Sequence, residues 1–194
     1  MLDRLRLISL LSVCVIGFAA CAPAEPPAEE EPPPPPPPPP PTIYDLSEVD
    51  IVAEEPNFTS RNVSFGGVKI GDITNDMLDV LGEQVGETLN SVDFEHYVTA
   101  YRDGALFIYT FKINGEIRGI EIGTALASEI ASPQLRAWLE DGDLDVVQEL
   151  MGDRGGTVEE VPETETTEYA YDLQGIRFVE YPEDSYSVRF SWYP

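Results

Sequence analysis

From Val63 to Trp192 the spacing of apolar positions changes several times, and each change predicts an element. Lys69 to Gly82, "KIGDITNDMLDVLG", sets Ile73, Met77, Val80 and Leu81 at core-facing helical spacing, with Thr74 at the N-cap and Gly82 at the left-handed C-cap position. Leu139 to Gly152, "LEDGDLDVVQELMG", has the same design: Asp143 caps, Leu144, Val147, Leu150 and Met151 face inward, and Gly152 stops the helix. Ahead of it, Ser132 and Pro133 mark the start of a further helix carrying Leu135, Trp138 and Leu139. Runs of period two follow. One holds Phe107, Tyr109, Phe111 and Ile113 on a single face; another holds Tyr186, Val188, Phe190 and Trp192, beside Ile176 and Phe178. Asp103-Gly104 and Asn114-Gly115 are type I′ hairpin signals between such runs.

The order of elements thus occurs twice. It predicts an α+β fold of two tandem repeats, each a short helix or helix pair followed by an antiparallel β-meander, with the helices packed on one face of the sheet. Repeat one covers about 63–123 and repeat two about 132–193, inside a folded region spanning 43–194.

The amino-terminal pattern is of another kind. Arg4 and Arg6 precede a short apolar run, Leu7 to Phe18, which has the layout of an export signal over residues 1–20. It is shorter than the roughly 20 apolar residues a spanning helix needs. Phe18-Ala19-Ala20-Cys21 resembles the lipobox of bacterial lipoproteins, which implies a diacylated Cys21 as the mature amino terminus and acyl chains as the membrane contact. Cys14 leaves with the signal, so Cys21 is then the only cysteine and no intramolecular disulfide can form. Ala22 after the cysteine resembles cargo of the outer membrane, facing the periplasm or lipid-anchored at the cell surface. Residues 21–42 read as a stalk rich in Pro and Glu; Pro32 to Pro41 is unbroken proline, a polyproline II rod of roughly 31 Å at about 3.1 Å per residue.

Charge narrows the function classes. Cleavage after Ala20 removes Arg4, Arg6 and Asp3, leaving 9 basic and 35 acidic residues and a net charge near −26. Such a surface repels phosphate backbones, which argues against nucleic acid as a partner. Catalytic chemistry finds little support. His96 is the single histidine and has no motif around it, and a Gly-x-Ser-x-Gly elbow is missing. A calcium-loop count from Asp141 fails, because Val146 stands where Gly is required and Gly152 where the bidentate Glu is required. "GGVKIG" lacks the Ser or Thr after Lys69 that a phosphate loop needs. No cofactor and no metal is expected.

"GGVKIGDITNDMLDVLG" followed by tyrosine-rich hairpins resembles the helix-then-sheet module of small outer-membrane assembly lipoproteins of the SmpA/OmlA (BamE) type and of tandem-repeat β-lactamase inhibitor proteins. The matching positions are Gly71, Met77, Leu81 and Gly82, then Val147, Met151 and Gly152, with Tyr101 and Gly104 paired to Tyr171 and Gly175. That resemblance implies a non-catalytic protein-binding module, acting in outer-membrane assembly or as inhibitor or sensor of an envelope enzyme, with the open face of the sheet receiving an envelope protein. Tyr101, Tyr171, Tyr109 and Trp192 are the candidate partner-binding residues, aromatic side chains being enriched at binding hot spots. The alternative is a lipoprotein that binds a small ligand, glycan or cation through the aromatic sheet and the acidic loop Glu159 to Glu168.

Overall fold

The computed structural model describes residues 34–40, 42–51, 58–74, 78–91, 93 and 95–191. The chain divides into two compact units, 1–39 and 40–194. In the first, residues 34–39 are exposed and make no regular secondary structure. No helix among the described residues is long and apolar enough to cross a membrane.

In the second unit, β1 (Tyr44–Asp45) runs parallel to β2 (Val63–Phe65), which pairs antiparallel with β3 (Val68–Lys69). The β2–β3 turn is possible because Gly66 and Gly67 both take positive φ, 59° and 82°. Asp45 fastens this small sheet: its carboxylate accepts from the Ser64 hydroxyl at 3.1 Å and from the Gly67 N–H at 2.8 Å.

Eight strands make the main sheet: β4 (Gln84–Asn90), β5 (His96–Tyr101), β6 (Leu106–Phe111), β7 (Ile117–Gly123), β8 (Thr157–Val161), β9 (Thr166–Tyr171), β10 (Ile176–Tyr181) and β11 (Ser185–Ser191). Their spatial order is β4-β5-β6-β7-β11-β10-β9-β8, antiparallel throughout. Two four-stranded meanders therefore meet along a seam, where Ile120 faces Phe190 and Ile122 faces Val188. Between them in sequence lie α1 (Pro133–Asp141) and α2 (Leu144–Met151). Helix α1 starts as its residues predict: the Ser132 hydroxyl accepts from the Leu135 N–H, Pro133 takes the first turn, and Gly142 ends it in the left-handed region. Asp143 caps α2 in the same way.

Helix α1 lies on the face that carries Ile120, Ile122, Val188, Phe190, Ile176 and Phe178. Trp138, fully buried, meets Phe178, Tyr169 and Tyr186 edge to face, and its indole N–H donates to the Ser187 carbonyl at 2.8 Å. Phe58 closes the same core against Phe190.

The α+β tandem-repeat fold expected from the sequence is overturned. The protein is mostly β, a large antiparallel sheet with a small one, and the helix pair is not repeated. In the first half the residues leading into the expected helix, up to its cap Thr74, are held by backbone pairing: the Gly71 and Thr74 N–H groups donate to the carbonyls of Ile117 and Gly115, and the Asp72 carbonyl accepts from the Ile117 N–H. Among the described residues of this stretch the one helical turn is a short 3-10 turn, Leu78–Leu81. Leu81 is buried, but Ile73 and Val80 are 57% and 58% exposed, so the helical stripe has no core to face. Met77 lies outside the described residues.

Two stretches outside the apolar runs are strands as well. Strand β4 is exposed along its whole length and β8 nearly so, each forming an outer edge of the sheet. The acidic stretch Glu159 to Glu168 is not a loop but most of the β8–β9 hairpin. On β6, Leu106 and Ile108 point into the core, while Phe107, Tyr109 and Phe111 share one face, half-buried on the opposite side.

Candidate functional site

That opposite side, the open face, is built from the strands nearest the seam. Glu121 sits there on β7 between Ile120 and Ile122, so strand alternation sends it away from the core they enter. It is 2% exposed, a depth at which a carboxylate needs full compensation. It has it. Oε2 accepts from the Tyr109 hydroxyl at 2.7 Å and from Arg189 Nε at 2.9 Å; Oε1 accepts from the Tyr181 hydroxyl at 2.6 Å and the Ser187 hydroxyl at 2.7 Å. Four donors from three strands fill the roughly four acceptor sites of a carboxylate.

The electrostatics agree with this geometry. Burial alone would raise the Glu121 carboxyl, yet the Arg189 charge and the hydrogen bonds from Arg189, Tyr181 and Tyr109 hold it below the ordinary carboxylate value. Burial, then the Glu121 charge and hydrogen bond, push Tyr181 up to about 12. Tyr109 is driven higher still by burial and the same carboxylate. Arg189 is lifted above the usual guanidinium range, the pull of Glu121 outweighing its burial. Both phenols stay protonated as donors and Glu121 stays charged.

From Arg189 the network crosses the second meander. Arg189 Nη1 is 3.3 Å from Glu168, which also receives Arg177 Nη1 at 2.7 Å; Arg177 reaches on to Glu159 at 3.2 Å and Asp172 at 3.0 Å. Arg177 and Arg189 are direct cross-strand neighbours, a like-charge pairing that the shared Glu168 neutralises. On the other flank, Tyr109 lies over Gly119, where a Cβ would stand 3.2 Å from its ring, and the Arg189 guanidinium is 5.9 Å from the ring centroid.

Beside Glu121, where β7 ends and β6 and β11 begin, a pocket of about 460 Å³ opens. Asp103, Phe107, Glu121, Thr124, Tyr181 and Ser187 contribute to its lining.

Of the residues expected to bind a partner, Tyr109 is on the open face and in this network. Tyr101 and Tyr171 end equivalent strands of the two meanders but lie on the core face, 5% and 8% exposed, with Tyr171 packed edge to face on Phe178. Trp192 and Cys21 lie outside the described residues. His96 is buried at the start of β5, its Nδ1 2.8 Å from Asp93 and its ring 5.6 Å from that of Phe111. Sequence reasoning missed Glu121, Glu168, Arg177, Arg189 and Tyr181. One signal could have found some of them: the chain has only 11 basic residues, and two arginines stand at interior positions of alternating strands, where a charge needs an acid beside it.

Among the described residues no group of three or more His, Cys, Asp and Glu side chains could hold a metal ion. No protein-family model, no curated protein and no solved structure matches the chain, so neither the lipoprotein nor the SmpA/OmlA resemblance gains support from a relative.

Proposed function

We propose that the protein is a lipid-anchored component of the cell envelope, held through acyl chains on Cys21, and that the open face of its sheet binds another envelope protein without catalysing a reaction on it. The observation that supports this most is the fixed array on the open face. Tyr109, Tyr181, Arg177 and Arg189 are partly exposed, yet their polar ends are held by the buried Glu121 and Glu168. Aromatic and arginine side chains lose little entropy on binding when they are already held, and these residue types dominate hot spots. A pre-arranged polar network whose carboxylate is already saturated suits recognition better than proton transfer, since a general base needs a free acceptor site.

Affinity purification from detergent-solubilised envelopes tests the reading. A specific protein co-purifies with the native chain and with the edge variant Leu89→Ser, and is lost with Arg177→Ala and Tyr109→Ala, both checked for folding by circular dichroism. Capture that ignores both open-face substitutions would refute it. Cell fractionation tests the anchor: native protein in the membrane fraction and Cys21→Ser in the soluble fraction are expected, and native protein recovered soluble and unacylated removes that part.

A further inference from the structure

The seam pocket has a chemistry of its own. Its volume, about 460 Å³, is that of a ligand site, and aromatic side chains, Phe107 and Tyr181, are part of its lining. The charged residues lining it are Asp103 and Glu121, both acidic; Glu121 is already paired with Arg189, so Asp103 carries the uncompensated charge. Asp103 has no hydrogen bond or ion pair among the described residues. Its neighbour Arg102 is turned elsewhere, with Nε donating to the Leu81 carbonyl at 2.8 Å and Nη1 3.5 Å from Glu129.

Three of the five lining hydroxyls point the same way. Tyr181 and Ser187 both spend their protons on Glu121, and Thr124 donates to the Tyr186 carbonyl at 3.0 Å. With those protons committed, the oxygens of Tyr181 and Ser187 can offer a ligand only lone pairs. Together with the Asp103 carboxylate they give the pocket a set of acceptors beside the aromatic side chains of Phe107 and Tyr181. A phosphate or carboxylate would meet repulsion there. An ammonium group has three donors and no acceptor, and its stem can lie against the apolar part of the lining.

We propose that the seam pocket binds an organic cation, an ammonium group on an unbranched apolar stem. The same chemistry has two sources: a lysine side chain presented by a polypeptide, which deepens the partner-binding reading and rests on it, or a free alkylamine.

Nuclear magnetic resonance titration of the full-length protein in detergent tests the site with three probes: n-pentylammonium, lysine capped as N-acetyl-lysine methylamide, and the same compound acetylated on Nε. Amide shifts centred on Gly104, Gly123 and Thr124 are expected, saturating with the cations and at least about tenfold weaker with the neutral acetylated probe. Asp103→Asn, an exposed change, should weaken cation binding about threefold and leave the neutral probe unaffected. Capped lysine binding as well as pentylammonium identifies a polypeptide side chain; pentylammonium alone identifies a free amine. Both support the cation site. No saturation, equal binding of the acetylated probe, shifts centred elsewhere, or indifference to Asp103→Asn would each overturn it. Tyr109 and Arg177 do not line the pocket. Failure of the partner-binding reading, seen as capture indifferent to their substitution, is therefore separate from failure of the cation site.

Discussion

Replacing Glu121 by Gln keeps the shape of the side chain and removes its charge. An amide has one acceptor oxygen, so it cannot serve the four donors that now converge on the carboxylate. The hydroxyls of Tyr181 and Ser187 can rotate and accept from the new NH₂, whereas the Arg189 N–H cannot. The substituted amide would therefore turn its oxygen to Arg189 and Tyr109. The bonds of the three hydroxyls lose their ionised acceptor, and Arg189 keeps only Glu168 at 3.3 Å as a counter-charge. Removing one partner of a fully buried ion pair costs about 3–5 kcal/mol; the remaining Glu168 and the partial exposure of Arg189 reduce this to about 2–3 kcal/mol. For a domain of this size the loss corresponds to roughly 5–10 °C in Tm. Thermal and urea denaturation measure it. Ultraviolet titration gives a second readout, because without the carboxylate charge Tyr181 should fall from about 12 back toward 10. The sign with pH follows from the depressed Glu121 value. The stabilisation is fully present above the ordinary carboxylate value of 4.5 and is lost as pH falls through the lower folded value, so native and variant proteins should converge in acid. A stability difference below about 0.5 kcal/mol at neutral pH, with an unchanged tyrosine titration, would show that the network is not coupled as described.

Three further outcomes are expected. Trp138→Ala should cost about 3–5 kcal/mol in urea denaturation, since it empties the space under α1 and leaves the Ser187 carbonyl without its donor; a loss under about 1 kcal/mol contradicts the packing. Gly175→Ala and Gly67→Ala both force a side chain into positive φ, costing about 1–2 kcal/mol each. At Gly175 the added Cβ also runs into the Ser191 carbonyl and the Ser60 side chain, whereas at Gly67 it meets open space, so Gly175→Ala should be the worse by at least about 2 kcal/mol, and equal losses would refute the close approach. Calorimetric titration with millimolar calcium should give no saturable heat, because Glu159 and Glu168 are tied to Arg177 rather than grouped as ligands. A stoichiometric transition would restore the cation-binding alternative for the acidic stretch.

The sequence made the second half legible and the first half misleading for one physical reason: local signals decide only where nothing stronger competes. Ser132, Pro133, Gly142 and Asp143 form the helix ends their types predict, since each satisfies backbone groups within its own turn. Thr74 and the apolar spacing after it carry the same kind of signal, but Gly71, Asp72 and Thr74 find partners in the distant β6–β7 hairpin instead. Strands β4 and β8 were hidden because an exposed edge strand has no buried face to impose alternation. The candidate site was legible at Tyr109 alone. Tyr101 and Tyr171 share its residue type, and only the register of the sheet separates the face that α1 covers from the open one. Glu121 looked like one acid among 36, and its partners Arg189 and Ser187 follow it by more than sixty positions.

The seam has a consequence in time as well as in space. Strand β11 is the last in chain order, yet it stands in the middle of the sheet, paired with β7 on one side and β10 on the other. Each meander can zip up from neighbours in sequence, but neither can be joined to the other before β11 has left the ribosome. Until then β7 is a raw edge beside an unfinished core. A nascent chain that lacks β11 therefore holds two unjoined meanders and is slow to commit to its final form.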